Sequence, residues 1–265
     1  MRKLTPSIIV AALLTVLLTS GLSVGCAGDA GDIVEGSGNL DTQEMDFSGF
    51  TRVEVGHAFE VEIVQSASYS VSITADDNLL EYIEVSKKGE TLKIGLKSGD
   101  YHNVTLEAEI TMPDLYEVDL SGAVRGTAQG FTSSHDFSGE LSGASSLDMR
   151  DMSAGNIDFD ISGASRVTGD IIAGDADLDV SGASTVQLQG SASDMEIEAS
   201  GASHVDLADF LVSNADVNLS GASQATVNLD GRLDADLSGA SNLSYIGEPT
   251  MGDIHTSGGS AISPE

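Results

Sequence analysis

Asp158-Phe159-Asp160-Ile161-Ser162-Gly163-Ala164 returns nineteen residues later as Asp177-Leu178-Asp179-Val180-Ser181-Gly182-Ala183. The triplet Ser-Gly-Ala starts at Ser121, Ser142, Ser162, Ser181, Ser200, Ser220 and Ser238, with Ser-Gly-Gly at Ser257, at intervals of 18 to 21 residues. A simple excess of Ser and Gly would not hold that phase, so the second half of the chain is an array of repeats. One and three positions before each serine, fourteen of sixteen residues are apolar; two and four positions before it, thirteen of sixteen are acidic. Such a two-residue period with one apolar and one charged face specifies a strand buried on one side. A second alternating run follows each bend, as in Val186 and Leu188 or Val205 and Leu207. Each repeat therefore reads as strand, Ser-Gly-Ala bend, strand, and a short return such as Ala173-Gly174-Asp175. No repeat has room for a helix. Like strands stacked on like strands make a parallel β-solenoid of about eight rungs of ~19 residues, roughly 35–40 Å tall at the usual strand spacing. The crossover rule favours right-handed winding.

The first half is also β but lies outside this repeat. Residues 52–64, 70–74, 91–97 and 104–112 alternate, and Lys88-Gly89-Glu90 makes a turn between two of these runs. Asp77-Asn78-Leu79-Leu80-Glu81-Tyr82 reads as a single helical turn. These strands are expected to cap or flank the solenoid, whose open end would otherwise invite strand addition.

At the start of the chain, Arg2 and Lys3 precede an apolar run from Ile8 to Leu18, and small residues lead to Cys26, the single cysteine. That order is a secretory signal peptide, excluded from the fold. Leu22 to Cys26 resembles a bacterial lipobox, which makes Cys26 the candidate lipidation site, although Ser23 stands where Leu is usual. Two plainer readings remain open: an ordinary signal with an incidental cysteine, and an uncleaved anchor. The expected organisation is a signal over 1–25, a flexible tether over 26–45 and one domain over 46–260. Within that domain, 46–115 holds the N-terminal strands and 116–260 the repeats, and 261–265 forms a tail. The expected location is the cell envelope through a lipid anchor in the membrane, with a secreted or periplasmic soluble protein as the alternative.

The 265-residue chain has 42 Asp and Glu against 11 Lys and Arg, a formal charge of −31. Nucleic acid is excluded as a partner, because phosphate contacts need cationic side chains. One cysteine excludes a disulfide framework and any multi-cysteine metal site. Stacking puts like carboxylates about 5 Å apart, where each pair repels by about 1 kcal/mol even in water. Asp158, Asp160, Asp177, Asp179, Glu196 and Glu198 are thus candidates for weak, delocalised Ca²⁺ binding. The plainer reading is a solvated face that keeps an exported β protein soluble. No other cofactor is expected, since neither an EF-hand loop nor a Ca²⁺-binding nonapeptide occurs. Asp158 with Asp160, or Asp177 with Asp179, has a spacing compatible with glycoside hydrolysis, but so does nearly every rung. The chain has no Trp for stacking sugars, its returns are short, and Arg125, Arg150, Arg166 and Arg232 are isolated. No catalytic residue is assigned. His57, His102, His135, His204 and His255 share no repeat phase and read as surface or structural histidines. The motif serines read as a ladder of hydroxyls hydrogen-bonded between rungs.

Several short segments accompany the repeat: Phe47-Ser48-Gly49-Phe50 leading into Val53-Glu54-Val55, Phe59-Glu60-Val61-Glu62-Ile63, and Ala75-Asp76-Asp77-Asn78-Leu79-Leu80. Thr91-Leu92-Lys93-Ile94 and Met112-Pro113-Asp114-Leu115 follow. Together with the Ser-Gly-Ala series they resemble the family of auto-transporter adhesins with a head GIN domain, over roughly Asp46 to Ser260. The resemblance implies a β-helical exported domain of bacterial envelopes and supplies no catalytic residue. The expectation is a non-catalytic, adhesin-like interaction module whose partner is an envelope protein or glycan. Its alternatives are a structural, cation-buffering lipoprotein and a carbohydrate-binding or carbohydrate-active β-helix.

Overall fold

The computed structural model describes residues 33–265. The signal segment, Cys26 and the first part of the expected tether lie outside the described residues. Two long sheets face each other. The front sheet of 11 strands collects the strand that precedes each bend, and the back sheet of 12 strands collects the one that follows. From Glu117–Leu120 to Thr250–Thr256 every neighbouring front pair is parallel, as is every back pair from Arg125–Gln129 to Ala261–Pro264. This is the parallel β-solenoid with two strands per rung.

The core is the slot between the sheets. Phe159, Leu178, Ile197 and Val217 enter it from the front, and Val167, Val186, Val205 and Val227 from the back, all fully buried. Gly139, an exception in the apolar phase, is explained by its neighbour: a side chain there would occupy the space of the Phe159 ring one rung on. Phe159 packs edge-on against Phe137 at 5.8 Å. Bulk moves from one rung to the next at constant core width.

The bends fix the phase. In each, Gly has φ between +70° and +85°, and the following residue donates its N–H to the preceding rung's bend glycine, as from Ala164 to Gly143 at 2.8 Å and Ala183 to Gly163 at 2.8 Å. Glycine is required twice over, once for the left-handed φ and once because a Cβ would strike the rung below. A Cβ on Gly143 would lie 2.5 Å from the Gly122 oxygen.

Three expectations change. First, Arg52–Val55 and Glu60–Gln65 are a true rung, parallel to Glu117–Leu120 and Arg125–Gln129. Its bend is Gly56-His57-Ala58, with His57 in the glycine position at φ +70° and its C=O accepting from Ala123 N–H at 2.5 Å. The missing serine and glycine hid it, as did a 49-residue excursion, residues 66–114, in place of a short return. That excursion places Thr91–Leu96 and Leu106–Met112 parallel to this rung on its far side. It also closes the end with the antiparallel strands Ser70–Asp76 and Ile83–Lys88, joined through the 3₁₀ turn Asp77–Tyr82. Second, the expected tether is ordered over its last part: Ile33–Glu35 pairs with Asp100–His102, and Leu40–Met45 pairs antiparallel with Ser70–Asp76. Buried Asp76 holds this strand entry by accepting from Gly38 N–H at 2.6 Å and Thr105 N–H at 2.7 Å. Third, the expected tail is the strand Ala261–Pro264, paired with Asn242–Ile246.

The two costs of a bend substitution separate experimentally. Gly89 has φ +63° with open space around it. Gly89→Ala should cost about 1 kcal/mol, the price of left-handed φ alone. Gly143→Ala should cost well above ~2 kcal/mol, because the clash with Gly122 adds to it. Urea unfolding of both variants checks the order; equal losses would show that the rungs do not touch at the bend.

Candidate functional site

The outward residues of the front sheet form two parallel columns. One runs Glu117, Ser138, Asp158, Asp177, Glu196, Asp216 and Asp234; the other runs Glu54, Asp119, Glu140, Asp160, Asp179, Glu198, Asn218 and Asp236. The six cation candidates therefore sit together as two adjacent triplets on three consecutive rungs. Among the described residues, no group of three or more acidic, His or Cys side chains has the geometry to hold a metal ion. Along the repeats the charge belongs to this face; on the first rung and the strand beside it the back sheet also turns Glu60, Glu62, Glu107 and Glu109 outward. The back sheet presents Thr127, Asp148, Thr168, Gln187, Asp206 and Thr226 outward, with Arg125 and Arg166 beside them.

Cations stand at both ends of the columns. Arg52 reaches Glu117 at 2.9 Å and Lys93 pairs with Glu54; at the other end Arg232 forks onto Asp234 at 2.5 Å, and His255 follows Asp236 in register. Between the ends the carboxylates have mainly each other. Asp119 is held above its ordinary pKa, chiefly by partial desolvation and then by Glu54, Glu140 and Glu117. Asp177 and Asp179 are raised by desolvation and by neighbours that include Asp158, Asp160 and Glu198. Glu196 is raised first by Asp177. Asp234 goes the other way, lowered by its hydrogen bond from Arg232.

Beside the first column runs a groove of about 830 Å³, lined by Phe137, Ile157, Ala176, Met195 and Ala215 between rows of carboxylates. Tyr116 and His135 stack at one end of it, with ring centroids 4.7 Å apart. The row on its return side is a ladder that the repeat reading passed over. Asp136, Asn156, Asp175, Asp194 and Asn214 each stand six residues before a motif serine. The side-chain oxygen of Asp136 accepts from Asn156 N–H at 2.8 Å, that of Asn156 from Asp175 N–H at 2.9 Å, and that of Asp175 from Asp194 N–H at 3.2 Å. Asn214 continues it by accepting from Arg232 N–H at 2.9 Å. These groups pin the returns and are committed to the backbone. The common phase of Asp and Asn was the signal available.

The serines behave differently from expectation. Motif serine hydroxyls reach the next rung only at long range, as from Ser162 to Leu141 C=O at 3.4 Å. The fully buried hydroxyls are three residues later: Ser145, Ser203, Ser223 and Ser241 donate back to the carbonyl of the motif serine in their own bend, at 2.6 to 2.9 Å, while Ser165 and Ser184 at the same position are buried without a partner. Backbone bonds carry most of the contact between rungs at the bends, with Ser203 and Ser260 adding hydroxyl bonds to the carbonyls of Val180 and Leu237 on the preceding rung, each at 3.1 Å. Of the histidines, His57 is structural: its Nδ1 accepts from Leu96 N–H at 3.2 Å.

A family model described as putative auto-transporter adhesin, head GIN domain, matches residues 49–249. Among solved structures, a putative adhesin from Parabacteroides merdae ATCC 43184 is similar at TM-score 0.82 and 18% identity, over 88% of this chain and 99% of that one. A putative adhesin from Parabacteroides distasonis ATCC 8503 gives TM-score 0.79 at 18% identity, over 88% of this chain and 100% of that one. A protein of the latter organism described as a putative lipid binding protein gives 0.77 at 18%, with coverage of 88% and 100%. At these identities the likeness is one of fold. No curated protein matches.

The raised carboxylates set a pH dependence. Asp119, Asp177, Asp179 and Glu196 hold protons in the folded chain at pH values where the unfolded chain has released them, so stability falls as pH rises through the window above the ordinary carboxylate value. Asp234 has the opposite sign and loses its contribution only below that value. The thermal midpoint should therefore climb as pH is lowered toward the ordinary carboxylate value, from about 6 to about 4, and the part of the climb that comes from charge repulsion should shrink in high salt. Scanning calorimetry across that range checks it; a midpoint that falls on acidification would contradict the mutual repulsion.

Proposed function

The chain belongs to the putative auto-transporter adhesin, head GIN domain family, and from that premise we propose that it is a non-catalytic interaction module of the cell envelope whose contact surface is the acidic front face. One observation carries the reading: along the repeats the carboxylates are gathered on one sheet face, in register from rung to rung, while the opposite face of the same rungs is mostly neutral. Uniform solvation would not require that segregation. A rigid, repetitive face suits a partner with a repeating cationic or polyhydroxyl surface, an envelope protein or a glycan. Against catalysis stands the repetition itself. A glycosidase needs one carboxyl raised in isolation beside one that stays ionised, whereas here four on the same face are raised, three chiefly by partial desolvation and Glu196 chiefly by Asp177, each with further carboxylate neighbours. Within the repeats, short bends and returns leave no long loops beside the acidic columns to enclose a substrate. Export on the N-terminal signal, with lipid attachment at Cys26, would present the module at the membrane surface.

A second reading, cation buffering by the same columns, is favoured by the raising of Glu196, chiefly by Asp177 on the rung before it. Divalent ions diffusing along the columns would relieve that repulsion without a discrete site.

Two measurements separate these readings. Binding of the purified protein to envelope fractions or a glycan array should drop at least ~10-fold when Asp158, Asp160, Asp177 and Asp179 are changed to Asn, as expected for loss of four rim charges. Undiminished binding would remove the acidic face as the contact, and reducing-sugar release lost in that variant would overturn the non-catalytic reading. For the columns as a cation store, Ca²⁺ should raise the thermal midpoint more than NaCl at matched ionic strength. Equal shifts would leave only screening.

A further inference from the structure

The two ends of the solenoid are finished differently. At the N-terminal end the outermost strands, Ile83–Lys88 in front and Leu40–Met45 behind, are antiparallel to their neighbours, and Lys87, Lys88, Asp41 and Glu44 place charges along those edges. Charged edge strands discourage further pairing. At the other end the edge strands are Thr250–Thr256 and Ala261–Pro264, still parallel to the rung beneath. Met251, Ile254 and Ile262 there continue the columns of Leu233, Ala235 and Leu243. Those three are buried, yet Met251 is 43% exposed and the other two are only half-buried. Among the described residues nothing lies over this rung.

The charge of −31 opposes contact between copies over most of the surface. The front edge strand at this end carries little of that charge. One acidic column ends at Asp234, which is paired with Arg232, whose Nη2 also lies 3.6 Å from Asp253, and the other finishes in His255. Asp253 is the sole carboxylate on the edge strand Thr250–Thr256.

The backbone of that strand is self-complementary. Ser257 N–H bonds Leu237 C=O at 2.8 Å and Thr256 is Leu237's register partner, so by alternation the N–H and C=O of Thr256 and Ile254 face the free edge. A two-fold axis at Ile254 sets Ile254 against its own copy in a reciprocal hydrogen-bonded pair, with both side chains inward. It sets Asp253 opposite the partner's His255, an acceptor opposite a donor, with both side chains outward. Ala261–Pro264 contributes less, since Pro264 has no N–H to offer. We propose that this edge is a self-association surface, at which two copies join end to end through Thr250–Thr256 and merge their front sheets into one. The interface is isologous, so it closes at a dimer.

Sedimentation velocity from about 1 μM to about 100 μM should show a monomer–dimer equilibrium governed by mass action. Ile254→Lys, which opposes two ammonium groups on the axis, should give monomer throughout that range. Ile172→Lys, at a flank residue 57% exposed, should leave the equilibrium unchanged. To guard against misfolding, a second pair is made in a Cys26→Ala background: Ile254→Cys should form a disulfide-linked dimer on oxidation, and Ile172→Cys should not. A monomer at every concentration, a dimer that survives Ile254→Lys, cross-linking by both cysteines alike, or growth past the dimer would each overturn the proposal.

Discussion

The structure depends on one contact, the stacking of a left-handed bend directly on the bend before it. Each bend passes its carbonyl to the N–H of the next rung, and the repeat serine makes a second bond, as from Ser181 to Ile161 at 2.8 Å. Because the bends are in vertical register, residues at equal distance from them must be too. The apolar column, the carboxylate columns and the return ladder all inherit their alignment from this one point. His57 shows that the constraint is on conformation rather than on glycine as such. It occupies the left-handed position in the rung where no bend glycine lies beneath it to be struck.

Alignment has an electrostatic cost that the fold carries openly. Parallel stacking cannot place Asp158 beside Asp177 and Asp177 beside Glu196 without repulsion; Glu196 is raised chiefly by Asp177, and Asp177 by partial desolvation and then by Asp158. Cations at the ends relieve only the terminal rungs, through Arg52, Lys93 and Arg232. Continuous backbone hydrogen bonding and a dry core of Ile, Leu, Val and Phe offset the remainder. A chain could avoid the expense by alternating signs from rung to rung. This one does so on neither column, which is why the face is read as a surface with a use.

Legibility followed the length scale of the interaction. The strand pairs, the rung spacing and both acidic columns were readable, because a two-residue period and a fixed interval are local properties of the chain. Other features were written in the same phase but faintly. Asp136, Asn156, Asp175 and Asp194 form a ladder whose members differ in charge, and Ser145 and Ser203 are buried hydroxyls in a run that otherwise alternates. The rung at Arg52–Gln65 was invisible, since its bend reads Gly-His-Ala and its successor in space lies 65 residues on, from His57 to Gly122.

The sequence by itself therefore determined the solenoid, its rung length and the face on which the charge lies. Tertiary structure alone decided how the ends are finished. Leu40–Met45 becomes a closing strand because Ser70–Asp76 offers it an edge, and that edge exists only after the excursion of residues 66–114 has folded back on the first rung. At the other end, Met251 and Ile254 match the residues buried beneath them and are left accessible only because no rung follows among the described residues. Periodicity says which side of a strand is inward; whether something covers it depends on which partner the edge meets.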